Sequence, residues 1–348
     1  MSVKRTILGI AASAAGVAVA GTAVGVARRR RVIARRGAGD ATPFGSLRSR
    51  PITVIADDGV PLHVEVDDLA GSELTVVFVH GYALNLDCWH FQRAAYRGLI
   101  RTVFYDQRSH GRSGRSTDDL ATIEQLGRDL RRILDEVVGD GPVVLVGHSM
   151  GGMGIVALAE EWPELFGDRV VGVALISTTA GGLDPHRLVA PYVPSALGST
   201  LGLRTIATLA RGHRAVDGVR RLTRPIATVV TDQFAFGDAV PAGYIEFVDE
   251  MLSRTPFEVI AEFFPSLGTM DKFETVQALG DVPVSVICGT GDKLTSIGHS
   301  RKLQSRIPGS RLLECEGAGH MVILERHEQV NAELDQLLAA AGERVDQR

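Results

Sequence analysis

Apolar and polar positions along this chain follow two rhythms. Short runs rich in β-branched residues predict strands at Ile52–Ile55, Leu62–Val66, Leu74–Val79, Thr102–Tyr105, Val143–Val146, Val170–Ile176 and Val284–Cys288, and Arg311–Cys315 is read as a last strand. The first two flank Asp57-Asp58-Gly59, a hairpin turn signal. Leu74–Val79 is an apolar, β-branched run broken only by Thr75, the pattern of a strand buried on both faces. Other segments repeat their apolar residues at three- and four-residue steps. In Ile123–Val138, the residues Ile123, Leu126, Leu130, Ile133, Leu134 and Val137 share one helical face. Met150–Glu161 reads as a helix of small residues, and Glu325–Ala340 as a closing helix. Strands alternating with helices predict an α/β architecture, with a mostly parallel central sheet and helices on both faces.

Two stretches break this pattern. Residues 181–264 show no strand; their helix-like pieces are punctuated by Pro185, Pro191, Pro194, Pro225, Pro241 and Pro256. That length is too great for a simple connection, so an inserted helical lid is expected over the carboxyl edge of the sheet. Leu188, Val189, Tyr192, Val193, Leu197, Leu201, Leu203, Ile206 and Leu209 crowd its first part, and Phe234, Phe236, Phe247, Phe257, Phe263 and Phe264 its later part. Packing on the core accounts for these residues; an acyl-chain tunnel is the functional alternative. The lid divides a core expected at 51–180 and 265–348.

The second stretch is Thr6–Ala27, 22 uncharged residues, where about 20 suffice to span a bilayer. Lys4 and Arg5 precede it, and Arg28, Arg29, Arg30, Arg31, Arg35 and Arg36 follow. The expectation is an uncleaved membrane anchor with a basic flank over residues 1–36, followed by a linker at 37–50. The arginine excess on the carboxyl side would place the catalytic body on the cytoplasmic side, and the arginines themselves on anionic head groups. A cleaved signal peptide ending near Ala18-Val19-Ala20, and hence export, is the alternative.

Composition narrows the chemistry little. The chain has 348 residues, 45% of them hydrophobic, with a net charge of −4, so a sizeable core is available and no charge bias points to nucleic acid. Cys88, Cys288 and Cys315 are too few and too widely spaced for a disulfide framework or a metal site, and read as small buried hydrophobes.

The chemistry lies in Val146-Gly147-His148-Ser149-Met150-Gly151-Gly152, a G-x-S-x-G motif between a strand and a helix. A serine on such a turn is thrust clear of the backbone, but it needs a base and an orienting acid to act as a nucleophile. Asp292 follows one strand in Cys288-Gly289-Thr290-Gly291-Asp292, and His320 follows the last in Glu316-Gly317-Ala318-Gly319-His320. Asp271 is the rival acid, but it precedes its strand. Oxyanion donors are expected from the Met150 N–H and the Tyr82 N–H, with Gly81 permitting the turn and His80 bracing it.

With these motifs, the chain resembles the serine lipase/esterase branch of the α/β-hydrolase family from about Pro51 to Ala340, the lid excepted. Asp106-Gln107-Arg108-Ser109-His110-Gly111-Arg112-Ser113 is similar to the family's D-x-R-G-x-G-x-S loop, with Ser109-His110 where a glycine-containing pair is frequent. The resemblance implies an α/β-hydrolase fold and an acyl-enzyme route to ester cleavage, lipid or acylglycerol esters foremost, without a cofactor. Relatives that open epoxides or remove halide carry aspartate at the elbow, and Ser149 sets the chain apart from that group. Acyltransferase, perhydrolase and carbon–carbon bond hydrolase activities use the same triad and stay open. A non-catalytic binding relative of the same fold is the reading of a different class.

Overall fold

The computed structural model describes residues 25–37, 42–183 and 228–347. Among these, eight strands form one sheet: β1 (Pro51–Ile55), β2 (Pro61–Asp67), β3 (Thr75–Val79), β4 (Arg101–Tyr105), β5 (Val143–His148), β6 (Val170–Ile176), β7 (Val284–Gly289) and β8 (Arg311–Cys315). Their order is β1-β2-β4-β3-β5-β6-β7-β8. The β1–β2 and β2–β4 pairs are antiparallel and all others parallel. The chain leaves β3 for β4 on one side, then crosses back over β3 to reach β5. The strand order reverses there, and the crevice beyond the carboxyl ends of such strands is where open α/β sheets bind ligands. Register aligns those ends: Val79 lies opposite Gly147, His148 opposite Ile176, and Gly289 opposite Cys315.

The central strands are apolar because both faces are covered. Val77, Val79 and Leu145 point into one cluster with Leu126, Leu130, Met153 and Ile155 of the Ile123–Ile133 and Met150–Glu161 helices. Their strand neighbours Val76, Phe78, Val144 and Val146 point into a second cluster, with Trp89, Ile323, Leu334 and Leu337. Each fully buried aliphatic side chain in these layers contributes about 1.5–3 kcal/mol.

Three helices differ from expectation. The Ile123 helix ends at Ile133 and widens into a π turn over Leu134–Val138. The closing helix runs His327–Asp346, separated from a short Val322–Glu325 helix by Arg326, whose backbone is not helical (φ −129°, ψ 40°). The His90–Tyr96 helix carried no apolar period because polar side chains fill its inner face. Arg93 bonds Glu65 and Asp67 there, and Gln92 bonds the carbonyl of Ile323.

Between β6 and β7, the described part of the insertion holds helix over 228–234 and the helices Ala242–Arg254 and Phe257–Thr269. Phe236, Phe247 and Phe263 are buried in the core clusters. The apolar run Leu188–Leu209 lies outside the described residues.

The expected membrane anchor, and with it the cytoplasmic placement of the body, is not sustained. Among the described residues no helix is long and apolar enough to cross a membrane. Residues 6–24 lie outside the described residues; 25–27 begin a helix that runs to 34, through the arginines. This stretch is held by protein. Ile33 is buried in the core, and Arg29 and Arg36 both pair with the Asp232 carboxylate, at 2.8 and 2.7 Å. Those two arginines therefore have an acidic partner in the body itself, which a lipid-facing flank would not need. Further along, Phe44 stacks on Phe247 with ring centroids 4.6 Å apart, and Arg48 pairs with Glu65 at 3.3 Å.

Candidate active site

Among the described residues, four other than glycine adopt a left-handed backbone: Ala83 (φ 58°), Ser109 (65°), Ser149 (52°) and Ser177 (44°). They lie just beyond the carboxyl ends of β3, β4, β5 and β6, four neighbouring strands. Such conformations cost about 1–3 kcal/mol each and persist only where the surroundings impose them.

At the β5 exit the imposition is visible. The Ser149 N–H donates to the Ile176 carbonyl at 2.9 Å, while its own carbonyl accepts from the Gly152 N–H (3.0 Å) and the Thr178 hydroxyl (2.7 Å). The helix starts so close to the sheet that side chains are barred around the serine. A Cβ on Gly147 would stand 2.6 Å from the Gly152 nitrogen, and one on Gly151 would stand 2.1 Å from the Val79 carbonyl oxygen. The Ser149 hydroxyl itself makes no hydrogen bond among the described residues.

Asp292 and His320 meet on the loops that leave β7 and β8. The His320 Nδ1–H donates to Asp292 Oδ2 at 2.9 Å, with both side chains buried. That bond fixes the tautomer and leaves Nε2 as the basic nitrogen. The second Asp292 oxygen accepts the N–H groups of Leu294 (2.8 Å) and Thr295 (3.0 Å), and the Thr295 hydroxyl donates to Oδ2 at 3.0 Å. Burial pushes the Asp292 carboxyl up, but the His320 ring and these donors outweigh it and hold it below the usual carboxylate range. Asp271, the rival acid, is exposed, and its backbone bridges Gly181.

The His320 loop has two glycines for two reasons. Gly317 turns the chain at φ 71°, whereas Gly319 makes room: a Cβ there would stand 2.4 Å from the Gly237 nitrogen. His148 ties this loop to the elbow. Its Nε2–H donates to the His320 carbonyl at 2.9 Å, and the two rings lie 4.9 Å apart. Burial, then the neighbouring His320, lowers His148 to about 3, so it stays neutral.

The loop after β3 closes over the serine. A Cβ on Gly81 would stand 3.1 Å from Ser149 Cβ and 2.8 Å from His148 Nδ1. Neither the Met150 N–H nor the Tyr82 N–H has an acceptor among the described residues. The Tyr82 hydroxyl donates to the Ile260 carbonyl, which ties this loop to the insertion. His80 is fully buried: its Nδ1–H donates to the Gly81 carbonyl (2.8 Å) and its Nε2 accepts the Gln107 N–H (2.9 Å). Burial lowers His80 to about 4.

The loop after β4 turns around Asp106, whose carboxylate accepts the N–H groups of Leu86 (2.7 Å) and Arg112 (2.8 Å). Ser109 sits there in the left-handed region that glycine favours, and its hydroxyl accepts the Ser116 N–H at 2.8 Å. Among the described residues no cluster of histidine, cysteine and carboxylate side chains could hold a metal ion. The three cysteines are free and buried. Sequence reasoning passed over His148 and Thr295. Thr295 is three residues past Asp292, the spacing of a side-chain cap, and offered a faint signal.

A family model described as the alpha/beta hydrolase family matches residues 76–333. The chain is 26% identical over 259 residues to a dihydrolipoyllysine-residue acetyltransferase component of an acetoin cleaving system from Pseudomonas putida, a match covering 74% of this chain and 62% of that protein. It is also 26% identical over 241 residues to a monoacylglycerol lipase from Mycolicibacterium smegmatis, covering 67% of this chain and 75% of the lipase. Among solved structures, a thermophilic esterase from Thermogutta terrifontis superposes with a TM-score of 0.66 at 22% identity, over 84% of this chain and 99% of the esterase, a likeness of fold. With an eight-stranded sheet of this order and a family match over most of its length, the chain belongs to the alpha/beta hydrolase family.

Proposed function

We propose that this protein is a serine hydrolase cleaving carboxylic esters, with acylglycerol esters as the substrate class, through an acyl-enzyme on Ser149. The observation that most supports this reading is the buried 2.9 Å His320–Asp292 pair, its histidine loop bonded to His148 beside a strained, glycine-flanked serine. His320 Nε2 takes the Ser149 proton as the hydroxyl attacks the ester carbonyl, and Asp292 stabilises the imidazolium that forms. The Met150 and Tyr82 N–H groups, without acceptors of their own among the described residues, stabilise the oxyanion. His320 then returns its proton to the leaving alcohol, and water repeats the sequence to release the acid. The similarity to a monoacylglycerol lipase supports the acylglycerol class.

A fluorophosphonate should label the wild type at Ser149, and Ser149→Ala should abolish both labelling and ester turnover. A wild type that takes no label and hydrolyses no ester of any chain length would refute the reading. A rate maximum at long acyl chains is expected; a short-chain preference would remove the acylglycerol assignment. Product analysis with an alcohol or peroxide present separates hydrolysis from acyl transfer to those acceptors.

A further inference from the structure

The His320 loop is held from a side that the triad does not use. The Met321 N–H donates to the Ala235 carbonyl at 2.8 Å, at the base of the insertion. Next to it the two backbones abut, with a glycine on each. A Cβ on Gly237 would stand 2.0 Å from the Gly317 carbonyl oxygen, as one on Gly319 would meet the Gly237 nitrogen. The Glu325 carboxylate spans this seam, its side chain wholly shielded from solvent. Oε1 accepts the Asp238 N–H at 2.7 Å; Oε2 accepts the Gly237 N–H at 3.1 Å and the Gly319 N–H at 2.8 Å. The neighbouring Arg326 stands 3.9 Å away and also bonds Asp238. A buried carboxylate is tolerable only when its oxygens are satisfied, and here the donors come from two chain segments far apart in sequence, 237–238 and 319.

We propose that Glu325 is a positioning residue for His320. Resting on the triad reading above, the proposal is that its carboxylate pins the base of the insertion to the histidine loop and so sets where Nε2 stands. An amide at 325 has one acceptor oxygen for three donors, and its NH2 would face at least one N–H head-on. The loop then loses its anchor one residue before His320.

His320 serves both steps of acylation, but esters differ in how far they need the second. A p-nitrophenolate leaves without a proton, whereas an alkoxide requires one from Nε2. Misplaced His320 should therefore penalise alkyl esters more than p-nitrophenyl esters of the same acyl group. A general loss of folded protein would lower both alike.

The test compares kcat/KM for that ester pair in the wild type and in Glu325→Gln, each normalised to the fluorophosphonate-titratable fraction. The expected result is a fall of about 10–100-fold for the alkyl ester, the scale of an ångström-sized misplacement, and at most a few-fold for the p-nitrophenyl ester. An equal fall for both, or none, overturns the proposal. If Glu325→Gln does not fold, Glu325→Asp carries the test: it keeps the charge but falls one carbon short of the seam. It should show the same alkyl-selective loss, and a wild-type ratio refutes the inference. Wild-type protein that takes no label and turns over neither ester refutes the hydrolase reading instead, and the inference with it.

Discussion

Two serines at the exits of β4 and β5, the strands that flank β3, both take a positive φ, and they do opposite things. Ser109, after β4, has φ 65°, and its hydroxyl accepts the Ser116 N–H at 2.8 Å. Ser149, after β5, has φ 52°, and its hydroxyl has no partner among the described residues. Strain alone does not mark a site. The loop after β4 spends its strain on wrapping Asp106, whose carboxylate takes the Leu86 and Arg112 N–H groups. The elbow leaves its hydroxyl unpaired, next in sequence to His148, whose ring bonds the His320 carbonyl.

The comparison breaks most severely at the acid. Asp292→Asn should leave the fold intact but reverse the hydrogen bond that sets the His320 tautomer. An expected fall in kcat of about 10³–10⁴-fold is checked by steady-state kinetics against a p-nitrophenyl ester. A loss under tenfold would mean that another carboxylate orients His320.

Next comes the crowding that makes the elbow. Gly151→Ala would drive a methyl to 2.1 Å from a backbone carbonyl that cannot yield, so several kcal/mol of destabilisation are expected, read as a lowered Tm or insoluble protein. Soluble, active Gly151→Ala protein would show that the elbow has slack.

Acid is a milder probe of both loops. Burial lowers His80 to about 4 and His110 and His148 to about 3, from an ordinary value near 6.5. The unfolded chain therefore binds more protons than the folded one between those limits. Stability from these groups is complete above about pH 6.5 and is lost as the pH falls toward 4 and 3. Denaturant midpoints should fall across that window, and His110→Phe should flatten the fall. A midpoint constant from pH 7 to 4 would count against it.

The smallest effects should have opposite signs. Ser109→Ala leaves the Ser116 N–H without its acceptor and should cost about 1 kcal/mol with activity retained. Ser149→Gly relieves the left-handed serine and should gain about 1 kcal/mol with activity lost. Paired denaturation curves settle both.

What could be read from the sequence was local. Val143–Val146 and Leu74–Val79 announce strands because burial on both faces removes polar residues. Ser149 and Asp292 stand out because each follows such a strand, His320 because its glycine-flanked loop follows the last one, and register brings strand ends together. What escaped depended on distant partners. Arg93 and Gln92 fill the inner face of the His90–Tyr96 helix with polar groups satisfied from β2 and from Ile323. Gly319 is a glycine because the Gly237 backbone abuts it, a reason unreadable from the loop itself. The arginine run read as a lipid-facing flank because Asp232 lies about two hundred residues downstream.

That arginine pairing bears on where the chain can be shortened. The family match begins at residue 76, inside β3, and the sheet at Pro51, which invites trimming everything before the sheet. The Asp232 side chain is 1% exposed and draws its compensation from Arg29 and Arg36. Cutting after residue 37 would strand a bare carboxylate against the interior, and removing one side of a buried pair costs about 3–5 kcal/mol. A shortened piece of this protein is therefore expected to be more stable if it begins upstream of Arg29, well ahead of the first strand, than if it begins at the sheet.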